Sequence, residues 1–323
     1  MTLTPARRMD LSTRAVLRTE RIDIPSLGTL AYRANRVGSG RALVLLHGFE
    51  LARGCYEFGP LQSAFSDRPT YALDWPGYGA SSELALEPNT ASYAEALAAF
   101  IEQVAAPDGQ PVDVIAAARA GEVAALLAAR RPRPIRSLVL LNPTGFGPAR
   151  RSPLLAQLVR ELQRVPRLCD FLYRARRSTA AMLATLSGTV GADAALALAV
   201  SADHGKARPG AFRTPFSFLE ASLSGQIGDV SVYRALRVPT FVLFDRSQPH
   251  GFDFLPEVTR DNAFVRSLRM GSRHGAPHLE STAVVESAVR EFYAAIDVAS
   301  RFEDWESTVE TVPSFAHRDH RAA

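Results

Sequence analysis

Residues 112–128, VDVIAAARAGEVAALLA, pass from a strand pattern through small residues into a helical pattern. A strand that feeds a helix across so short a turn is half of a βαβ unit, and it commits the chain to layers of sheet and helix. The same switch recurs. ALVLLHGF and PTYALDWPGYG are apolar runs that stop at Gly or Pro, as strands buried on both faces of a parallel sheet do. IRSLVLLN, VPTFVLF and NAFVRSLRM are three more strands. TASYAEALAAFIEQVAA has helical spacing at Tyr93, Leu97, Phe100, Ile101 and Val104, with Thr90 or Ser92 available as the cap. TAVVESAVREFYAAI closes the pattern as a last helix, and RTERIDIPSLGTLAYRANRVGSG opens it as two strands joined at Leu27–Gly28. Alternation of this kind predicts a mostly parallel sheet with helices on both faces.

The alternation stops between Gly147 and Tyr233. LLAQLVRELQRV and DAALALAVSA keep helical periodicity there without a strand, and Pro153, Pro166, Pro209 and Pro215 mark breaks. The expected organisation is a core in two parts, residues 1–146 and 234–299, with a helical lid at 147–233 and a tail at 300–323. The lid's aliphatic face, Leu154 through Leu162 and on to Phe171, fits an apolar pocket or ordinary core packing. The tail mixes charges with Phe302, Trp305 and Phe315.

At 323 residues and 47% hydrophobic, the chain can bury one large core. No apolar run reaches the roughly 20 residues of a membrane span. The start, MTLTPARRMDLSTR, has no apolar signal core, so the expected compartment is the cytoplasm, with Cys55 and Cys169 as reduced thiols. The net charge of +4 is carried almost wholly by arginine, Lys206 being the only lysine. The clusters Arg130, Arg131, Arg133, Arg136 and Arg174, Arg176, Arg177 lack interleaved aromatics and read as solvated faces, not as a nucleic-acid surface. No metal-ligand spacing and no G-x-G-x-x-G after a strand occur, so neither metal nor nucleotide cofactor is expected.

Four stretches, in order, resemble the α/β-hydrolase fold superfamily: LLHGF at 45–49, LDWPGYGASS at 73–82, the strand–turn–helix at 112–132, and GSRHGAPHLES at 271–281. The resemblance covers about 21–296 and implies an eight-stranded sheet. It also implies roles. Phe49 would give one oxyanion N–H and Arg119 the other. Ala118 stands at the nucleophile position of the G-x-S-x-G elbow, where a slip of one residue would place Ala117 or Arg119 instead. His274 matches the catalytic base, in a loop one residue longer than the common H-x-P-H-L-E, and His278 matches the second histidine of that loop. Gln248 stands at the acid position, and LNPTGF, the other common acid site, has no carboxylate. Asp253, then Asp245, are the candidate replacements. His250 is a weaker pocket candidate.

A methyl group cannot attack a carbonyl, so acyl-enzyme chemistry by the usual route is excluded at Ala118. Two backbone N–H groups, a helix N-terminus and a histidine still suit proton abstraction beside a carbonyl. Arg119 can clamp a carboxylate or phosphate or serve as a surface residue. The leading expectation is non-hydrolytic general-base chemistry (elimination, isomerisation or cyclisation) on a small apolar acyl or polyketide-like substrate. Two others stand beside it: an esterase or thioesterase with its serine changed to alanine, and a ligand-binding pseudoenzyme.

Overall fold

The computed structural model describes residues 18–25, 27–51, 53–83, 89–148, 151–187, 189–190, 192–202, 209–225, 228–245, 251–272 and 275–299. Eight strands form one sheet: β1 (Thr19–Ile24), β2 (Gly28–Asn35), β3 (Leu43–Leu46), β4 (Thr70–Asp74), β5 (Val112–Ala117), β6 (Ile135–Leu141), β7 (Thr240–Phe244) and β8 (Val265–Arg269). Their order is β1-β2-β4-β3-β5-β6-β7-β8. The hairpin β1–β2 is antiparallel and β2 pairs antiparallel with β4; the remaining pairs are parallel. The apolar runs fall where a doubly covered sheet needs them. Every residue of β3, β4 and β5 is buried.

Alternation along each strand splits the core into two layers. Val44, Leu46, Val114 and Ala116 face a layer built with Tyr93 and Leu97 of α2 (Thr90–Phe100) and with Val123 and Leu127 of α3 (Ala120–Arg130). Leu43, Leu45 and Ile115 face the other. It holds Leu61 of α1 (Gly59–Ala64) and Val285, Val289 and Phe292 of the last helix, Thr282–Ala299. The cap of α2 is Asn89, not Thr90 or Ser92. The Asn89 side chain accepts from Ala91 N and Ser92 N, and Ser92 Oγ accepts from Asn89 N.

Between β6 and β7 the described residues form α4 (Pro153–Gln163), α5 (Pro166–Arg176), α6 (Thr179–Leu186), α7 (Ala192–Ser201), α8 (Arg213–Leu223) and α9 (Val230–Arg234). Pro153 and Pro166 open helices at their first turns, where the missing N–H costs nothing. α9 packs with the sheet: Tyr233 is fully buried and stacks on Phe146, 4.1 Å between ring centroids. The aliphatic face of α4 and α5 divides. Val159 and Leu162 pack against the cluster of Cys169, Tyr173, Phe212 and Phe216, whereas Leu154, Leu158 and Phe171 are 82%, 61% and 66% exposed. Outside the insertion, α1, α10 (Leu255–Asp261) and α11 (Pro277–Glu280) are absent from the sequence pattern. They are six, seven and four residues long, too short to show a period.

Candidate active site

The sheet order β4-β3-β5 puts a topological switch point between β3 and β5. The loop leaving β3 and the turn leaving β5 diverge at their carboxyl ends, which is where an open parallel sheet binds ligands. Ala118 lies in that turn, between β5 and α3, with φ +48. This is left-handed backbone for a residue with a Cβ, and it is the sharp turn that an elbow demands. Ala118 N–H donates to Leu141 O of β6 at 2.9 Å, and Gly121 N–H returns to Ala118 O at 3.1 Å. Gly121 lets α3 approach closely. A Cβ there would lie 3.3 Å from Pro143 Cβ and 3.4 Å from Leu140 Cδ2.

The loop after β3 is fixed by buried polar contacts. His47 Nε2 accepts from Trp75 N at 3.3 Å, which assigns the ring proton to Nδ1, 2.6 Å from Gly48 O. Burial holds His47 below its usual pKa, in keeping with a neutral ring. With Gly48 O drawn toward the imidazole, the same peptide's N–H, that of Phe49, points away from it. Trp75 Nε1 donates to His47 O at 2.8 Å, and Tyr78 Oη donates to Phe49 O at 2.6 Å. Asp74 braces the next turn, accepting from Cys55 N at 2.7 Å and Ala80 N at 3.1 Å. Gly79, φ +48, is required beside it, because a Cβ there would come within 2.0 Å of Asp74 Oδ2.

At the ends of β6 and β7, Asn142, φ +46, ties three segments together. Its Nδ2 donates to Gly275 O at 2.9 Å and its Oδ1 accepts from Asp245 N at 2.7 Å. Asp245 is buried and its Oδ2 accepts from Ser272 Oγ at 3.0 Å. Asp253 is exposed, in the turn entering α10, with no side-chain hydrogen bond or ion pair among the described residues. His274, Gln248 and His250 lie outside the described residues.

The model of the alpha/beta hydrolase family matches residues 43–288, which span both the elbow and the loop that follows β8. The chain belongs to the alpha/beta hydrolase family. A curated relative, the dihydrolipoyllysine-residue acetyltransferase component of the acetoin cleaving system of Cupriavidus necator, is 31% identical over 142 residues, 42% of this chain. The match spans only 36% of that protein's length. Solved structures agree on the fold. E-2-(acetamidomethylene)succinate hydrolase superposes with a TM-score of 0.65 at 21% identity, covering 86% of this chain and 99% of its own. A thermophilic esterase from Thermogutta terrifontis gives 0.63 at 18%, covering 86% and 99%.

On this alpha/beta hydrolase frame, α8 seats over the loop that follows β3. Phe218 stacks on Phe49 at 4.3 Å, and the Arg119 guanidinium lies 5.0 Å from the Phe218 ring centroid and 3.5 Å from Ser222 Oγ. Arg119 is 9% exposed, and burial lowers its pKa. Three residues on, Glu122 is also buried. It binds Thr144 Oγ1 through Oε1 and Gly228 N, at 3.1 Å, through Oε2, and burial raises its pKa.

Sequence reasoning missed a second buried carboxylate. Glu57, 1% exposed, follows β3 in a short 3-10 turn, Cys55–Phe58. Arg53 Nη1 lies 3.0 Å from its Oε2, and His278 Nε2 lies 3.7 Å from the same oxygen. Burial pushes Glu57 up, but Arg53 and His278 more than offset it, so its carboxyl sits below the usual range. Glu57 Oε1 and both ring nitrogens of His278 are buried without a hydrogen bond among the described residues. The signal was faint: Arg53 and Glu57 are four apart, a spacing that means little until a helical turn joins them. Among the described residues no cluster of three His, Cys, Asp or Glu side chains could hold a metal ion, and no helix is long and apolar enough to cross a membrane.

Proposed function

We propose that the chain is a serine-independent enzyme of the alpha/beta hydrolase family that performs general-base chemistry on a small, largely apolar acyl or polyketide-like carbonyl compound. One observation carries this reading: the residue in left-handed backbone at the β5–α3 turn is Ala118, so the side chain presented there is a methyl. The oxyanion loop nevertheless keeps its buried bracing at His47, Trp75 and Tyr78. A site with donors for a developing oxyanion and no nucleophile suits loss of a proton beside a carbonyl.

In this reading the substrate oxygen sits between the N–H groups of Phe49 and Arg119, with the N-terminus of α3 adding its partial positive charge. His274 takes the α-proton, and the electron pair moves onto the carbonyl oxygen as an enolate. Elimination, isomerisation and cyclisation share that first step. Asp245, through Ser272 two residues before His274, is the proposed positioning carboxylate, in preference to the exposed Asp253. Helices α4 to α8 form the proposed lid, with Phe218 on the oxyanion loop.

The test is turnover of a nitrophenyl ester. The chain is expected to leave it intact, and Ala118→Ser is expected to restore at most weak hydrolysis, because Asp245 bears on the histidine loop only through Ser272 and Gln248 supplies no carboxylate directly. Ala118→Ser with Gln248→Asp is expected to do better. Substantial ester turnover by the unaltered chain overturns the proposal. The intact backbone of the elbow favours one other reading, an ester hydrolase whose serine has been changed to alanine. Full esterase activity in the single Ala118→Ser variant would establish it.

A further inference from the structure

The hairpin α4–α5 presents its apolar side outward. On α4, Ala156 packs inward and Arg160 pairs with Glu220 of α8 at 2.5 Å, which fixes the polar flank against the protein. Leu154 and Leu158 fall on the opposite side and are exposed. On α5, Cys169 and Tyr173 are buried against Phe212 and Phe216, while Leu168 and Phe171 are exposed. Val165, 50% exposed, joins the two stripes. Of the thirteen large apolar side chains exposed among the described residues, seven fall between Leu154 and Leu172. Single exposed apolar residues are ordinary; a run of seven on one hairpin marks a contact surface.

The charge around the stripe says what kind of contact. Residues 151–177 hold seven arginines against Glu161 and Asp170, a net +5 where the whole chain carries +4. Glu161 is itself paired with Arg164, and Asp170 accepts from Gly210 N. On α5, Arg167 and Arg174 lie on one flank of the Leu168–Phe171 stripe and Arg176 on the other, all exposed. A protein core meets such a stripe with apolar groups alone. An apolar face between rows of arginine fits the boundary of an anionic bilayer, where leucine and phenylalanine enter the acyl region and guanidinium groups stay at the phosphates.

We propose that α4–α5 is a docking surface for anionic lipid bilayers, seated in the interface rather than spanning it. The full chain is mixed with vesicles of phosphatidylcholine alone or of phosphatidylcholine with phosphatidylglycerol, and bound protein is read by co-sedimentation. Binding is expected only to the anionic vesicles and should weaken as salt rises. Each arginine at an anionic surface is worth about fivefold in binding, so Arg167→Glu with Arg174→Glu should reduce it at least about twentyfold. Leu158→Glu with Phe171→Glu should abolish it. All four side chains are exposed, so thermal melting should not move in either double variant. Equal partition to neutral vesicles, no binding to either kind, or binding that survives both double variants overturns the proposal. So does a lipid-free dimer in sedimentation velocity that Leu158→Glu dissolves, which would assign the stripe to a second copy of the chain.

Discussion

β3 and α4 are both rich in leucine, β3 as a continuous apolar run and α4 as a stripe at helical spacing, and their leucines end in opposite environments. Leu43 to Leu46 are fully buried, with the two helical layers closing on both faces. Leu154 and Leu158 keep more than half of their surface in water. The difference lies in the partners. A central strand is enclosed because its neighbours pair on both edges and helices cross both faces. A helix on the outside of an insertion finds only the surface that α8 and α5 leave for it. Periodicity states that a face is apolar and is silent on what covers it.

The comparison breaks most sharply under truncation. Leu45→Ala removes buried methyl groups and leaves a cavity, so it should cost about 3 kcal/mol. Leu158→Ala should stay within about 0.5 kcal/mol. Urea unfolding of the two variants measures both, and a comparable loss at Leu158 would mean that its face is covered in solution.

A second test concerns charge. Arg53→Ala would leave Glu57 ionised and buried with only a distant imidazole, and should cost about 3 kcal/mol at neutral pH. The folded pKa of Glu57 lies below its unfolded value, so its contribution is present above the usual carboxylate range and fades as pH falls through the folded value. Glu122 works in the other sense. Its folded pKa is raised, so its contribution is present at low pH and is lost as pH rises toward neutrality. Arg53→Ala should therefore differ most from the parent near neutral pH and converge with it in acid. Glu122→Gln should flatten the decline of stability as pH rises above the usual carboxylate range. A difference for Arg53→Ala that does not change with pH would show that Glu57 is not the group concerned.

What was legible in sequence follows the same division. The central strands were readable as apolar runs bounded by Gly, Pro or a charge, β1 and β2 as a hairpin about Leu27–Gly28, and the elbow was readable because Ala116 to Gly121 offers only small residues and one arginine between strand and helix. The role of Asn142 was not. LNPTGF was read as lacking a carboxylate, and nothing in that string announces an amide that reaches β7 and the loop after β8 at once. Sequence sets Asp253 ahead of Asp245 because it follows position 248 and could reach back, whereas Asp245 stands at the place of a glycine; the buried contact to Ser272 belongs to Asp245 and depends on tertiary structure. Glu57 was invisible for the same reason, since its partner His278 is more than two hundred residues away.

Asn142 gives the third test. Its side chain carries two hydrogen bonds, one of them buried, and asparagine tolerates the left-handed backbone at φ +46 better than most residues. Asn142→Ala loses both bonds, leaves Asp245 N and Gly275 O without that partner, and should cost about 2 kcal/mol. Amide hydrogen exchange should quicken at Asp245 and around Gly275 more than in β3. Exchange unchanged at those two places would show that the loop after β8 is held by something else.

The smallest expected effect sits at the elbow itself. Ala118 holds φ +48 with a Cβ, a conformation that costs roughly 1 kcal/mol for a residue other than glycine. Glycine removes that strain, but its greater freedom in the unfolded chain costs about 0.4–1 kcal/mol. Ala118→Gly should therefore be neutral to stabilising, within about 1 kcal/mol. The neighbouring Ala116, buried in regular β5 with no positive φ to relieve, should lose about 1 kcal/mol when changed to glycine. Denaturant titration of the pair separates two accounts of the turn. If Ala118→Gly is as costly as Ala116→Gly, the left-handed backbone is not present in solution, and with it would go the reason for treating residue 118 as the nucleophile position.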